Sequence, residues 1–97
     1  MDAEACDALW TIRACVAADR IVMLPHFRQR LAERGLIWVD VLTVLESPTG
    51  VRGGKLDPFG RPKWLVAGSA ISGEPVEVVC VLDTNAYGDV TVFITVY

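Results

Sequence analysis

The spacing of apolar residues changes halfway along the chain, and this change constrains the fold more than any other feature. Up to Glu46 the apolar residues recur every three or four positions, as on one face of a helix. From Thr49 onward they alternate with polar residues, as in strands. The pattern predicts helices over residues 3–18, 25–35 and 38–46, and strands over residues 49–56, 63–70, 76–83 and 90–97. We therefore predict one α+β domain over residues 1–97, with the helices packed on a four-stranded antiparallel sheet.

The ends of the predicted helices and turns carry residues typical of those positions. Pro25 suits the first turn of the second helix, and Gly35 suits the left-handed residue that stops it. In the first helix, the period places Cys6, Leu9 and Trp10 on the apolar side.

Composition limits the function classes. The 97 residues are 53% hydrophobic, with a mean hydropathy of +0.40, which favours a folded domain with an oligomeric or protein partner. The three cysteines form no metal-binding spacing and are predicted to be buried reduced thiols, as in a cytoplasmic protein. We find no basic signal-peptide start and no apolar run near the ~20 residues that span a membrane. Zinc clusters, phosphate-binding glycine loops and paired catalytic carboxylates are missing, so no metal and no cofactor are predicted.

Charge is distributed unevenly along the chain. Residues 26–63 hold seven basic and four acidic residues, a net charge of +3, whereas the remainder holds two basic and eight acidic residues, a net charge of −6. The overall charge of −3 argues against a general nucleic-acid binder. The segment of +3 predicts a basic patch on an acidic body, unless its arginines only decorate solvated helix faces and turns.

The only histidine lies in this basic segment, on the second predicted helix. At 100° per residue, His26, Arg30 and Arg34 follow one flank of the stripe formed by Phe27 and Leu31. Histidine exchanges protons near neutral pH, and arginine binds phosphate through paired hydrogen bonds. The flank is thus a candidate acid/base and phosphate site. The alternative is an ordinary solvated helix edge in which Glu33 pairs with an arginine.

Two further groups of candidate residues lie in the sheet. A turn over residues 57–60 leads into Arg61 and Lys63, which point the same way because residues two apart in a strand share a face. The alternative is a charged edge strand that deters aggregation. In the last strand, alternation places one set on a common face that is suited to stacking a base or donating hydroxyls to a phosphate: Thr91, Phe93, Thr95 and Tyr97. The alternative is a face that packs against a partner or against the helices.

Three segments together resemble a known family. They are "HFRQRLAERGLIWVDVLTVL", "DPFGRPKWLVAG" and the terminal "VTVFITVY". The chain is similar, over about residues 24–97, to short bacterial domains of unknown function that resemble RelE-like and BrnT-like toxins, the ribonucleases of toxin–antitoxin pairs. The resemblance implies helices on a small antiparallel sheet, as the periodicity does independently. It also implies metal-independent RNA cleavage and an antitoxin partner.

The resemblance also implies roles for individual residues. His26 is the expected acid or base, with Arg61 and Tyr97 as the other catalytic candidates. Arg30, Arg34, Lys63 and Thr95 are the expected substrate-binding residues. A competing hypothesis is that the same scaffold has no catalytic activity and serves as a protein-interaction or regulatory module. The two hypotheses differ in whether these side chains converge on one concave face.

Overall fold

The computed structural model describes residues 2–97, which form three helices and a five-stranded mixed sheet of α+β class. The elements follow the chain as α1 (Ala3–Ala17), β1 (Ile21–Met23), α2 (Pro25–Glu33), α3 (Trp38–Glu46), β2 (Gly50–Leu56), β3 (Pro62–Ser69), β4 (Pro75–Asn85) and β5 (Gly88–Val96). The three predicted helices and four predicted strands are confirmed within a few residues at each end. No helix among residues 2–97 is both long and apolar enough to cross a membrane.

The prediction of a four-stranded antiparallel sheet was wrong in one respect, because a fifth strand, β1, adds a parallel pair at one edge. The strand order is β1-β5-β4-β3-β2, with β1 parallel to β5 and the other pairs antiparallel. β1 has only three residues, which is too short to show the alternation that marks a strand. It forms because the chain passes the edge of β5 on its way from α1 to α2, where Met23 lies opposite Phe93.

Residues at the helix ends explain where the helices begin and where α2 stops. Asp2 caps α1 by accepting a hydrogen bond from the amide of Ala5 at 2.7 Å. Pro25 occupies the first turn of α2, and Gly35 follows the helix with a φ of +65°, as predicted. The buried carboxylate of Asp40 accepts from the amides of Ile37 and Ile71. Asp40 therefore ties the start of α3 to the turn between β3 and β4.

The core lies between the helices and one face of the sheet. Phe93 of β5 is completely buried at its centre, with its ring 5.3 Å from those of Phe27 and Trp38. The buried face of α1 differs from the prediction, since Ala5, Ala8, Leu9, Ile12 and Cys15 point inward. Trp10 and Cys6 are exposed instead. Small alanines let α1 approach the sheet closely, which the hydropathy of individual residues did not indicate.

Candidate functional site

An open cavity of about 450 Å³ lies on the face of the sheet opposite the helices. We call this side of the sheet the open face and the cavity the basic cavity. Four strands, β2 to β5, and the first turn of α2 contribute its walls. Its lining residues are His26, Arg52, Gly54, Lys55, Lys63, Leu65, Val79, Ile94, Thr95 and Tyr97. Four of the seven candidate residues therefore meet here, from parts of the chain up to 71 positions apart.

His26 reaches the basic cavity because β1 fixes the start of α2. The amide of Leu24 donates to the carbonyl of Phe93 at 3.1 Å, which continues the parallel contact between β1 and β5. Pro25 then starts the helix, and His26 is its second residue. The imidazole is exposed, and it lines the basic cavity beside Ile94 and Thr95. The short strand that the sequence pattern missed is thus what places the histidine.

A β-bulge in β5 determines which of its side chains reach the basic cavity. Phe93 lies opposite Cys80 and Thr95 lies opposite Val79, so Ile94 is an extra residue with no partner on β4. The bulge keeps Phe93 in the core and turns Thr95 to the open face, and Tyr97 follows through reciprocal backbone hydrogen bonds with Glu77. The prediction that Thr91, Phe93, Thr95 and Tyr97 share one face was therefore wrong. Alternation holds only up to the bulge.

The lining of the basic cavity carries cationic groups and no acidic side chain. Arg52, Lys55 and Lys63 surround it together with His26. Arg52 has one carboxylate neighbour, Glu77, at 3.4 Å. Within residues 2–97 neither lysine forms an ion pair. Unpaired ammonium groups beside one another favour an anionic ligand, because each group then gains a partner.

Thr95 adds a polar group that the fold leaves unpartnered. The residue is 6% exposed, and its hydroxyl oxygen has no hydrogen-bond partner within the described part of the chain. A buried hydroxyl without a partner destabilises a fold by roughly 1–3 kcal/mol. Thr95 lines the basic cavity, but its hydroxyl oxygen is shielded from solvent. A rotation of the side chain that turns the hydroxyl toward the cavity would let a bound ligand supply the missing hydrogen bond. This is a second feature, independent of charge, that favours a ligand.

Arg61 does not join the other candidates. Its guanidinium contacts the carboxylates of Asp57 and Asp83, each at 2.7 Å, and stacks over the ring of Phe59 with 5.3 Å between the guanidinium carbon and the ring centroid. The hydrogen bond that the Arg61 guanidinium donates to Asp57 raises the pKa of Arg61. Burial acts to raise the pKa of Asp57, but hydrogen bonds from Arg61 and Phe59 outweigh it and lower that pKa. Arg61 and Lys63 were expected to act together, yet only Lys63 lines the basic cavity.

Arg30 and Arg34 also lie away from the basic cavity. Arg30 donates to the carbonyl of Val96 at 3.3 Å and lies 3.5 Å from Glu33, the pairing that the alternative interpretation of this helix described. Arg34 pairs with Glu74 at 2.7 Å. Both side chains hold α2 against neighbouring parts of the sheet. Of His26, Arg30 and Arg34, which were expected to form one site, only His26 lines the basic cavity.

Arg52 and Lys55 line the basic cavity but were not predicted from the sequence as site residues. Both lie on β2, where Gly53 pairs with Trp64 and Leu56 with Pro62, leaving one extra residue on β2. Gly54 suits this irregular stretch, because a Cβ there would come within 2.6 Å of the side chain of Leu65. The adjacent glycines were the available signal, since glycine inside a strand often marks a bulge or a close backbone approach.

None of the three cysteines lines the basic cavity. Burial, together with the neighbouring Cys15, raises the pKa of the Cys80 thiol to about 12, so the thiol stays protonated at neutral pH. All three cysteines are free, but the prediction that all are buried was wrong for Cys6. No group of three or more His, Cys, Asp or Glu side chains within residues 2–97 is arranged to hold a metal ion.

Comparison with known protein families finds a match over most of the chain. The family model described as Domain of unknown function (DUF4258) matches residues 23–97. The chain belongs to this family. No curated protein and no solved structure matches it significantly. The DUF4258 match includes every residue that lines the basic cavity, whereas α1 lies outside it. The DUF4258 assignment carries no activity, and the similarity to RelE-like and BrnT-like toxins remains a resemblance.

Proposed function

We propose that the basic cavity binds RNA and that the domain is a RelE-like, metal-independent endoribonuclease of the cytoplasm, held in check by an antitoxin. The observation that carries the proposal is the meeting of His26, Lys63, Thr95 and Tyr97 in one open cavity. Phosphodiester cleavage uses an acid or base and groups that stabilise developing charge, which the imidazole and the unpaired lysines can supply. The threonine hydroxyl and the exposed tyrosine ring can add a hydrogen bond and a stacking surface.

The proposed reaction transfers the phosphorus from one ribose oxygen to another. A base removes the proton of a ribose 2′-hydroxyl, and the oxygen forms a bond to the adjacent phosphorus. The bond from phosphorus to the 5′-oxygen of the next nucleotide breaks, and an acid protonates that oxygen. The products are a 2′,3′-cyclic phosphate and a 5′-hydroxyl. His26 acts as the base or the acid in this scheme.

The remaining groups of the basic cavity bind and stabilise the phosphate. Lys55 and Lys63 neutralise the charge that develops on its oxygens, and Arg52 contributes when it leaves Glu77. Thr95 donates its hydroxyl to a phosphate oxygen, which satisfies the group the fold leaves unpaired. Tyr97 is 60% exposed, and it stacks a base or donates its hydroxyl. In this proposal Arg61 has a structural role, because its ion pairs hold the turn that precedes Lys63.

The test is RNA cleavage by purified protein with EDTA present. We expect the wild type to produce 2′,3′-cyclic phosphate ends and to fail on a strand with 2′-deoxyribose at the cleaved position. His26→Ala is expected to reduce the rate by about 100-fold or more, as removal of a general acid or base usually does. Lys63→Ala also slows cleavage, because it removes a cation beside the phosphate.

The matched control is Arg28→Ala. Arg28 is exposed on α2, two residues from His26, and does not line the basic cavity. Its loss should leave cleavage unchanged. Induced expression of the same variants should show growth arrest for the wild type and Arg28→Ala, and relief for His26→Ala. Absence of cleavage and arrest from folded wild-type protein would contradict the proposal and leave the non-catalytic interaction module.

A further inference from the structure

We propose that the free edge of β2 accepts an extended acidic segment of another protein as a sixth strand. β2 is at the end of the strand order and has a neighbour, β3, on one side only. In an antiparallel pair, alternate residues of an edge strand direct their amide and carbonyl groups away from the neighbour. Within residues 2–97, no backbone or side-chain group outside the β2–β3 ladder makes a hydrogen bond to the backbone of Gly50–Leu56.

The edge is sterically open to another backbone. All residues from Arg52 to Leu56 are exposed, and Gly53 and Gly54 present no side chain to an approaching strand. α1 contacts β2, and α3 packs on β3, β4 and α1. The half-buried residues of β2 are Gly50 and Val51 at its start, so these helix contacts leave Arg52 to Leu56 open to solvent. A strand can therefore approach from solvent and extend the sheet, as in other cases of strand addition.

The charge of β2 selects the partner. Arg52 and Lys55 are its ionisable residues, and both are basic. A second copy of the chain is a poor partner, because neither β2 nor the opposite edge strand, β1, has an acidic residue. Pairing two copies through β2 would bring like charges together. A strand that carries Asp or Glu opposite Arg52 and Lys55 gains the complementary pairs instead.

The two faces of β2 specify an alternating pattern for the partner. Arg52 pairs with Leu65 and lies on the open face, where Lys55 also lines the basic cavity. Val51 packs against the core, and Gly53 lies next to the ring of Trp64 on that same face. The partner strand should thus alternate acidic residues, facing the cations, with apolar residues, facing Val51 and Trp64.

Strand addition also has a consequence for the basic cavity, and this part rests on the proposed function. Acidic side chains beside Arg52 and Lys55 would occupy cations that we assign to RNA phosphate. The acidic strand and RNA should therefore compete. The partner class is an acidic extended segment that both binds the domain and reduces its affinity for RNA.

The test uses a labelled eight-residue peptide of alternating valine and glutamate with blocked ends. Fluorescence anisotropy with the full chain should show saturable binding, and amide exchange of Gly50–Leu56 should slow. A valine–lysine peptide should fail to bind. The same valine–glutamate peptide with alternate amides methylated should also fail, because it cannot form the ladder. Lys55→Glu should weaken binding about fivefold or more, because it removes one exposed charge pair and places a like charge opposite a glutamate of the peptide.

Arg28→Glu is the control for general electrostatics, because it makes the same change in net charge away from β2. Equal weakening by Arg28→Glu, or equal binding of the methylated peptide, would overturn the proposal. Binding of the peptide is measured without RNA, so its result does not depend on whether the protein is a ribonuclease. Competition with an RNA oligonucleotide is measured second. Peptide binding without RNA binding would contradict the proposed function but would still support strand addition at β2.

Discussion

At the scale of single residues, two threonines of β5 offer a matched comparison between function and stability. Thr91 and Thr95 are both buried, and neither hydroxyl has a hydrogen-bond partner within residues 2–97. Thr95 lines the basic cavity. Thr91 precedes the bulge and lies on the same face of the sheet as Phe93, the face that packs against the helices. The fold gives both residues the same unfavourable hydroxyl, but only one of them faces a candidate ligand.

We predict that replacing either threonine by valine stabilises the protein, because valine has nearly the same shape without the hydroxyl. The expected gain in unfolding free energy is about 1 kcal/mol for each, measured by urea denaturation. Only Thr95→Val should also weaken RNA binding and cleavage. If Thr91→Val reduced activity to the same extent, or if Thr95→Val left it unchanged, Thr95 would have no role in ligand binding.

At the scale of elements, the β2–β3 hairpin depends on one ion pair in its turn. The carboxylate of Asp57 accepts from the amides of Phe59 and Arg61 and from the Arg61 guanidinium, at 2.7–3.0 Å. These bonds lower the pKa of Asp57 below its ordinary value of 3.8. A lowered folded-state pKa means that the stabilisation is fully present above that ordinary value. It is lost as the pH falls through the folded-state pKa, when the carboxylate is protonated.

We therefore predict that Asp57→Asn melts several degrees below the wild type at pH 7. Asparagine still accepts the two amide hydrogen bonds, so the difference reports the charge. The gap between the two melting temperatures should shrink as the pH falls below about 4. Circular dichroism melts at a series of pH values measure it. A gap that stayed constant with pH would show that the ionised carboxylate does not stabilise the turn.

The same scale shows what the sequence could and could not predict. Each long element was evident from local periodicity, as for α3, whose predicted bounds match the structure. The bulge at Ile94 was not evident, because it depends on how β5 aligns with β4 and leaves the alternating pattern of "VTVFITVY" unbroken. The sequence also did not show that Arg61 lies outside the basic cavity, for a related reason. One of its carboxylate partners, Asp83, is 22 residues away and is brought close only by the sheet.

At the scale of the whole molecule, the charge asymmetry seen in the sequence becomes a local cavity on an acidic protein. The basic segment of residues 26–63 is divided by the fold. His26, Arg52, Lys55 and Lys63 meet in the basic cavity, while Arg30, Arg34 and Arg61 each pair with a carboxylate. A chain with a net charge of −3 can therefore attract an anion at one place and repel it elsewhere.

This arrangement predicts a shallow salt dependence for RNA binding. Each phosphate neutralised on a single strand contributes about −0.7 to the slope of log affinity against log salt concentration. With two unpaired lysines and the partly engaged Arg52, we expect a slope of about −2. Lys63→Ala should make it shallower by about 0.7, and Arg61→Ala should not change it. Anisotropy titrations of a labelled oligonucleotide measure the slope. A slope of about −5 or steeper would mean that RNA contacts the whole basic segment and would contradict a site confined to the cavity.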